Sequence, residues 1–283
     1  MMTMVILAAV LPPVMNKVQI APPATPNPAK RIEITVHNAT AVMMLPAKWK
    51  PQRKQTVFLH FHGPDWHTIN EFDRAGFTLP VVNFAVGQGS TVYGNLFRPK
   101  EAINDWMTAI RDQLSQAANI KDLEISKLHL SSFSAGYGAI REMLQDPPTF
   151  AKIATVVLCD SMYASLATKE PRAVLQEHTD VWVPIAKKAM SKKAKFALAV
   201  SMVPTPEYAS SSECADALAK TLGVEWKDAE STNPATKDPD FPLLKTAEKG
   251  FLYLWQYGGS GPDAHMTHAR HLADIWRAIG LKP

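Results

Sequence analysis

The sequence is poor in cysteine and in long hydrophobic runs. It has two cysteines among 283 residues. Cys159 falls in an apolar stretch that predicts a strand and Cys214 in a helical pattern, so no disulfide framework is expected. The apolar run near the amino terminus, residues 5–11, is too short to span a bilayer. These absences exclude a small disulfide-stapled domain and predict no stable membrane insertion.

The chain also lacks the strong charge of a nucleic-acid-binding protein. Thirty Lys and Arg stand against 26 Asp and Glu, which gives a net charge of +4. The densest basic run, residues 187–195, has alanines and Met190 at helical spacing, which is typical of a solvated helix face. We therefore expect no nucleic-acid partner.

The first 29 residues read as a leader outside the folded domain. No Lys or Arg precedes the apolar run and no clean A-x-A site follows it, whereas a series of prolines between Pro12 and Pro28 indicates an extended arm. The two interpretations are an export signal and a disordered leader. The first is slightly favoured and implies a periplasmic or secreted protein.

Residues 30–283 predict one α/β domain, because 46% of the residues are hydrophobic and the length allows a large core. Apolar strands alternate with helical patterns, which indicates a mostly parallel sheet flanked by helices. The predicted strands are residues 31–37, 40–45, 56–61, 81–86, 153–159, 196–202 and 251–257, with a further strand before residue 134.

Three other segments have recognisable local patterns. Thr68 and Glu71 match a capping box that would open a short helix ending near Gly76. Residues 161–195 allow two helices but not a full cap domain. Residues 226–246, rich in Pro, Asp and Asn, predict a long surface loop.

The chain is organised around residues 128–139, in which an apolar strand enters a turn of small residues and a helical pattern follows. Ser134 lies at the apex, with Ser132 and Gly136 two places before and after it, giving S-x-S-x-G. A serine on such a strand–turn–helix element is exposed at a sharp bend, as a nucleophile requires. The plain alternative is a small residue at an ordinary turn.

Taken with two further features, this element resembles the α/β-hydrolase superfamily. A His-Gly turn, His62-Gly63, follows an earlier strand, and a histidine loop at residues 261–265 precedes a final helix. The three features occur in the order that the superfamily uses. The resemblance implies a serine hydrolase that cleaves an ester of a small molecule through an acyl-enzyme, without a cofactor or a metal.

The resemblance also suggests the catalytic residues. Ser134 would be the nucleophile and His265 the base, with His268 as the substitute. The loop after the strand at 196–202 lacks the superfamily's usual aspartate. Asp160, directly after a buried strand, is therefore the preferred acid, and Glu207 the alternative.

The oxyanion hole and the pocket are less complete. Ala135, after the nucleophile, should give one N–H donor. Pro64 has no N–H, so Gly63 is the candidate for the second, with Asp65 and Trp66 as alternatives; otherwise the hole is half-formed. Trp66, Tyr93 and Tyr163 would line the pocket.

Two other functions compete with the serine hydrolase. The histidines His60, His62 and His67 with Asp65 resemble the H-x-H-x-D-H zinc motif of metallo-β-lactamase-like hydrolases, although the spacing is one residue too long before the aspartate. A hydrolase fold kept only for binding would fit the missing aspartate and Pro64. The sequence specifies neither the substrate nor the oligomeric state.

Overall fold

The computed structural model describes residues 30–99, 101–230, 235 and 237–281, so the predicted leader lies outside the described residues. Within them the chain forms one ten-stranded sheet and a separate two-stranded hairpin. In chain order the strands are β1 (Lys30–Val36), β2 (Ala39–Leu45), β3 (Lys54–Phe61), β4 (Val81–Phe84), β5 (Glu124–Phe133), β6 (Ile153–Cys159), β7 (Leu166–Lys169), β8 (Arg172–Val174), β9 (Lys195–Val200), β10 (Lys227–Asp228), β11 (Leu243–Lys249) and β12 (Leu252–Tyr257).

The helices connect these strands. They are α1 (Asp65–Ala75), α2 (Ser90–Asn95), α3 (Ala102–Ala118), α4 (Tyr137–Met143), α5 (Pro147–Lys152), α6 (Gln176–Asp180), α7 (Val183–Met190), α8 (Ser211–Leu222), α9 (Pro262–Arg270) and α10 (Leu272–Ala278). None of the described helices is both long enough and apolar enough to cross a membrane.

The sheet has the order β1-β2-β4-β3-β5-β6-β9-β12-β11-β10. Its six central strands, from β4 to β12, are parallel, whereas the outer pairs are antiparallel. The prediction of a mostly parallel sheet flanked by helices is confirmed. The carboxyl ends of the parallel strands meet at one edge, called the carboxyl edge below.

Helices cover both faces because the central strands are apolar on both. Along β3, Val57, Leu59 and Phe61 pack in one core cluster, and Phe58 packs in the other with Trp276. This alternation follows from the two-residue period of a strand. The core thus consists of two layers, one on each side of the sheet.

The start of the first helix was predicted wrongly. α1 begins at Asp65, so Thr68 is an interior helix residue and not a cap; its hydroxyl donates to Asn83 Oδ1 at 3.2 Å. The predicted end is confirmed, because Gly76 adopts the left-handed conformation (φ 78°) that ends many helices.

Two other segments hold more regular structure than the sequence indicated. Residues 226–246 contain β10 and the start of β11, where a surface loop was predicted. Residues 161–195 contain the two predicted helices, α6 and α7, and also the β7–β8 hairpin. Trp182 of this segment is fully buried and stacks parallel to Phe196, so it belongs to the core.

Candidate active site

The turn between β5 and α4 is tight and strained. Ser134 has φ 48°, in the left-handed region that residues with a side chain seldom adopt, and it opens a single 3-10 turn over Ser134–Gly136. Gly136 lies against β3, where a Cβ atom would be 2.2 Å from the Phe61 carbonyl oxygen. Only glycine fits there, so the sharp bend depends on this residue.

A buried chain of three serines supports the turn. Ser161 Oγ donates to the Ser134 carbonyl oxygen at 2.7 Å, and Ser132 Oγ lies 2.7 Å from Ser161 Oγ. Because a hydroxyl has one hydrogen, Ser132 must be the donor to Ser161. Ser132, two residues before Ser134, therefore takes part in holding the strained residue.

The carboxylate of Asp160 is 1% exposed and forms three hydrogen bonds. Oδ2 accepts from His265 Nδ1 at 2.7 Å and from the Ser201 hydroxyl at 2.5 Å, while Oδ1 accepts from the Ser201 N–H at 3.1 Å. Burial alone would raise the pKa of this acid. The hydrogen bond from His265, the charges of His268 and His265 and the Ser201 hydroxyl together lower it to about 2.

This geometry fixes the tautomer of His265. An ionised carboxylate only accepts hydrogen bonds, so Nδ1 carries the proton and Nε2 of the neutral ring is free to accept one. The imidazole stacks on the ring of Phe133, the residue directly before Ser134 in the chain. The two ring centroids are 4.6 Å apart. Within the described residues Ser134 is hydrogen-bonded through its backbone, and its hydroxyl has no partner.

The structure separates these residues from the other candidates. His265 was predicted in a loop, but it lies inside α9; His268, one turn later, is buried with Nδ1 3.0 Å from the Ala264 carbonyl oxygen. Glu207 is exposed and pairs with Lys169 Nζ at 2.9 Å. Of the two candidate acids, Asp160 is the one that the fold brings to His265.

The His62-Gly63 turn places further N–H groups at the carboxyl edge. Asn83, which is fully buried, donates through Nδ2 to the Gly63 carbonyl oxygen at 3.0 Å and to Asp65 Oδ1 at 2.8 Å. Pro64 precedes the first turn of α1. In the described part of the chain, the N–H groups of Gly63 and of the first two residues of α1 have no protein acceptor.

No protein-family model and no curated protein matches the sequence. Solved structures do match. An uncharacterised protein from Capnocytophaga ochracea DSM 7271 has 9% identity and a TM-score of 0.50, over 90% of this chain and 64% of that chain. Enterochelin esterase from Shigella flexneri has 13% identity and a TM-score of 0.50, over 91% of this chain and 60% of that chain.

This chain has the α/β-hydrolase fold. It spans less than two thirds of the length of either protein, 64% and 60% respectively. At such identities the fold is what is shared.

Two of the predicted pocket residues lie at the carboxyl edge of this hydrolase fold. Trp66, in the first turn of α1, is 39% exposed. Tyr163 is partly exposed, and its hydroxyl donates to the Asp160 carbonyl oxygen at 3.1 Å. Both side chains therefore remain candidates to contact a substrate.

Tyr93 requires a correction, because it is fully buried in α2 and does not line an open pocket. Its hydroxyl donates to the Gly87 carbonyl oxygen at 3.0 Å, so at the 2.9 Å contact with His62 the ring Nδ1 must be the donor. Tyr93 thus supports the His62-Gly63 turn from behind.

Three of the four residues of the alternative metal site, His62, His67 and Asp65, have other partners in the hydrolase fold. His60 is fully buried, and burial lowers its pKa to about 3. His67 Nε2 lies 2.8 Å from the Ala269 carbonyl oxygen, and Asp65 pairs with Arg31 at 2.7 Å. Among the residues that the structure describes, no three potential ligands form a metal cluster. This arrangement does not favour the metal alternative.

Three supporting residues escaped the sequence analysis. Ser161 holds the Ser134 carbonyl, Ser201 holds Asp160, and Asn83 holds Gly63. Ser201 had a usable signal, because it directly follows β9, where the superfamily's acid was sought. Nothing in the sequence singled out the other two.

Proposed function

We propose that this protein is a serine-dependent carboxylic-ester hydrolase, with Ser134 as nucleophile, His265 as base and Asp160 as acid. The observation that carries the proposal is the buried 2.7 Å hydrogen bond between His265 Nδ1 and Asp160 Oδ2, formed beside the strained turn at Ser134. One of the two proteins of similar fold is an esterase, which agrees with this reaction class.

In the acylation step, His265 Nε2 takes the proton of the Ser134 hydroxyl while Oγ attacks the ester carbonyl carbon. The carbonyl oxygen gains the negative charge. The Ala135 N–H and one donor of the turn at residues 63–66, with Gly63 the first candidate, would stabilise it. The intermediate then collapses, and the alcohol leaves with the proton from His265.

Deacylation repeats these steps with water as the nucleophile. His265 removes a proton from the water, the hydroxide attacks the acyl carbon, and the proton returns to Ser134 Oγ as the acid is released. Asp160 stays ionised throughout, because its pKa is about 2. Its charge stabilises the imidazolium that forms twice in each cycle.

The experiment is hydrolysis of p-nitrophenyl acetate by the purified protein and by two variants. Ser134→Ala should lose on the order of a million-fold in kcat, as other serine hydrolases do without their nucleophile. Ser191→Ala is the matched control, because Ser191 is exposed and lies between α7 and the amino end of β9. It should keep the wild-type rate.

Three results would contradict the proposal. If Ser134→Ala kept a tenth of the wild-type rate, Ser134 could not be the nucleophile. Loss of wild-type activity on chelation would favour the metal alternative. A wild-type protein that turns over no ester would favour the binding function.

A further inference from the structure

Exposed hydrophobic side chains of the described residues are distributed very unevenly. The six large ones that are most exposed all lie at the carboxyl edge. They are Trp66 after β3, Val92 after β4, Met202 and Tyr208 after β9, Met266 after β12, and Leu244 at the start of β11, which runs antiparallel to β12. Such concentration of exposed apolar surface around a reactive residue indicates a binding site.

The segments that form this edge are depleted of positive charge. Six segments leave the parallel strands there: residues 62–67, 85–95, 134–137, 160–165, 201–210 and 258–266. None of them contains a Lys or an Arg, although the chain has 30. An anionic group of a substrate would therefore meet no cation of these segments near Ser134.

The carboxylates of these segments already have partners. Asp160 is buried and hydrogen-bonded to His265. The other three pair with cations that come from outside the segments: Asp65 with Arg31 at 2.7 Å, Glu207 with Lys169 at 2.9 Å and Asp263 with Arg270 at 3.1 Å. The surface around the proposed nucleophile is thus apolar, and the other three carboxylates of its segments are held in ion pairs.

Aromatic side chains connect this surface to the site itself. The Tyr163 hydroxyl is hydrogen-bonded to the backbone of Asp160. The Tyr163 ring contacts the rings of Tyr137 and Tyr208, with centroid distances of 5.8 Å and 5.6 Å. Tyr137 follows the nucleophile turn, and Tyr208 is 47% exposed. A continuous aromatic wall therefore runs from the turn outward to the solvent.

We propose that the carboxyl edge binds an extended, uncharged acyl chain, so that the preferred substrates are neutral esters of apolar carboxylic acids. The inference rests on the proposed function and adds its substrate class. Tyr208 and Met266 are the specificity-determining residues, because each is exposed and lies close to a proposed catalytic residue. Met266 is adjacent to His265 in α9, and Tyr208 meets the aromatic wall beside Asp160.

The first test compares four p-nitrophenyl esters as single molecules, below their critical micelle concentrations: acetate, butyrate, hexanoate and the monoester of adipic acid. Burying one CH₂ group gives roughly a fourfold gain. We therefore expect kcat/KM to rise about fourfold per CH₂ from acetate to hexanoate. The adipate ester, which carries a carboxylate at the chain end, should fall below hexanoate by about a hundredfold, because a charge on apolar surface loses its hydration.

The second test uses variants of the surface. Tyr208→Ser and Met266→Ser should each lower the hexanoate-to-acetate ratio of kcat/KM, by about tenfold for the tyrosine because an aromatic ring buries a large area. Val224→Ser is the control; Val224 is a partly exposed residue just beyond the end of α8. Its ratio should equal that of the wild type.

The outcomes separate the two proposals. If acetate hydrolysis disappears in Ser134→Ala, the serine mechanism stands. If the wild type then shows equal rates for all chain lengths, or for adipate and hexanoate, the proposed substrate class is overturned. An unchanged ratio in both surface variants would overturn the assignment of the residues. Acetate hydrolysis that survives Ser134→Ala would instead refute the proposed function.

Discussion

Replacing Asp160 with asparagine tests the role of the acid while nearly preserving its shape. The carboxylate accepts three hydrogen bonds, two at Oδ2 and one at Oδ1. An amide can accept at one oxygen only, so its NH₂ group must face either His265 or Ser201. Facing His265, it would donate to Nδ1 and leave the proton on Nε2. A histidine in that tautomer cannot take the proton of Ser134.

The size of the loss follows from these contacts. In serine proteases the wrong tautomer costs roughly ten-thousand-fold in rate, which corresponds to about 5.5 kcal/mol of activation free energy. The effect on folding is smaller. The fall in the pKa of Asp160 from its ordinary 3.8 to about 2 is worth on the order of 2 kcal/mol of stability. That contribution is present above pH 4 and is lost as the pH falls through 2.

The assay is kcat/KM for p-nitrophenyl acetate at pH 7.5, with circular dichroism and thermal melting as controls for folding. We expect Asp160→Asn to lose at least a hundredfold, well inside the tautomer penalty. Glu207→Gln breaks one exposed ion pair, with Lys169, and should lose less than tenfold. If a folded Asp160→Asn loses less than tenfold, or if Glu207→Gln is the crippled variant, the assignment of the acid is wrong.

The remaining predictions concern the base, the turn and stability. His265→Ala should lose nearly as much kcat as Ser134→Ala, and His268→Ala much less; reversed effects would make His268 the base. Ser161→Ala leaves the Ser134 carbonyl without its donor, so kcat should fall roughly 10- to 100-fold while KM stays within threefold of the wild-type value. A change in KM as large as the change in kcat would contradict this role. Burial opposes protonation of His271, but hydrogen bonds to Asp274 and Asp238 raise its pKa. Protonated His271 therefore contributes its full stabilisation of the fold below pH 6.5, and this contribution is lost as the pH rises through the raised pKa. His271→Asn should lower the urea midpoint of unfolding more at pH 5.5 than at pH 9. Equal shifts of the midpoint at the two pH values would refute this prediction.

Apolar periodicity was sufficient to predict most of the sheet. Strands such as β3 and β6 are buried on both faces, so their sequences are continuous apolar runs. β11 was missed because only one of its seven residues, Ala247, is buried. The ladders to β10 and β12, not its composition, hold it in the sheet.

Local patterns also misplaced two helix starts. At α1 the Thr68–Glu71 spacing indicated a cap, but Pro64 precedes the first turn, four residues earlier. At α9, Pro262 opens the helix, which places His265 within it. Proline is favoured in the first turn of a helix, so this second error was avoidable.

The contacts of the site depend on strand order, which the sequence does not show. Ser201 reaches Asp160 because β6 and β9 are neighbours in the sheet, although residues 161–194 separate them in the chain. Tyr93 shows the converse. It was expected to line the pocket, but α2 packs against α4 and buries it.

Covalent labelling with a fluorophosphonate tests the central claim most directly, because the probe reacts with an activated serine and needs no knowledge of the substrate. Peptide mapping should find one phosphonylated residue, Ser134. Labelling should be absent in Ser134→Ala, strongly slowed in His265→Ala and retained in Ser191→Ala. A probe that modifies another serine, or that labels Ser134→Ala as fast as the wild type, would contradict the account.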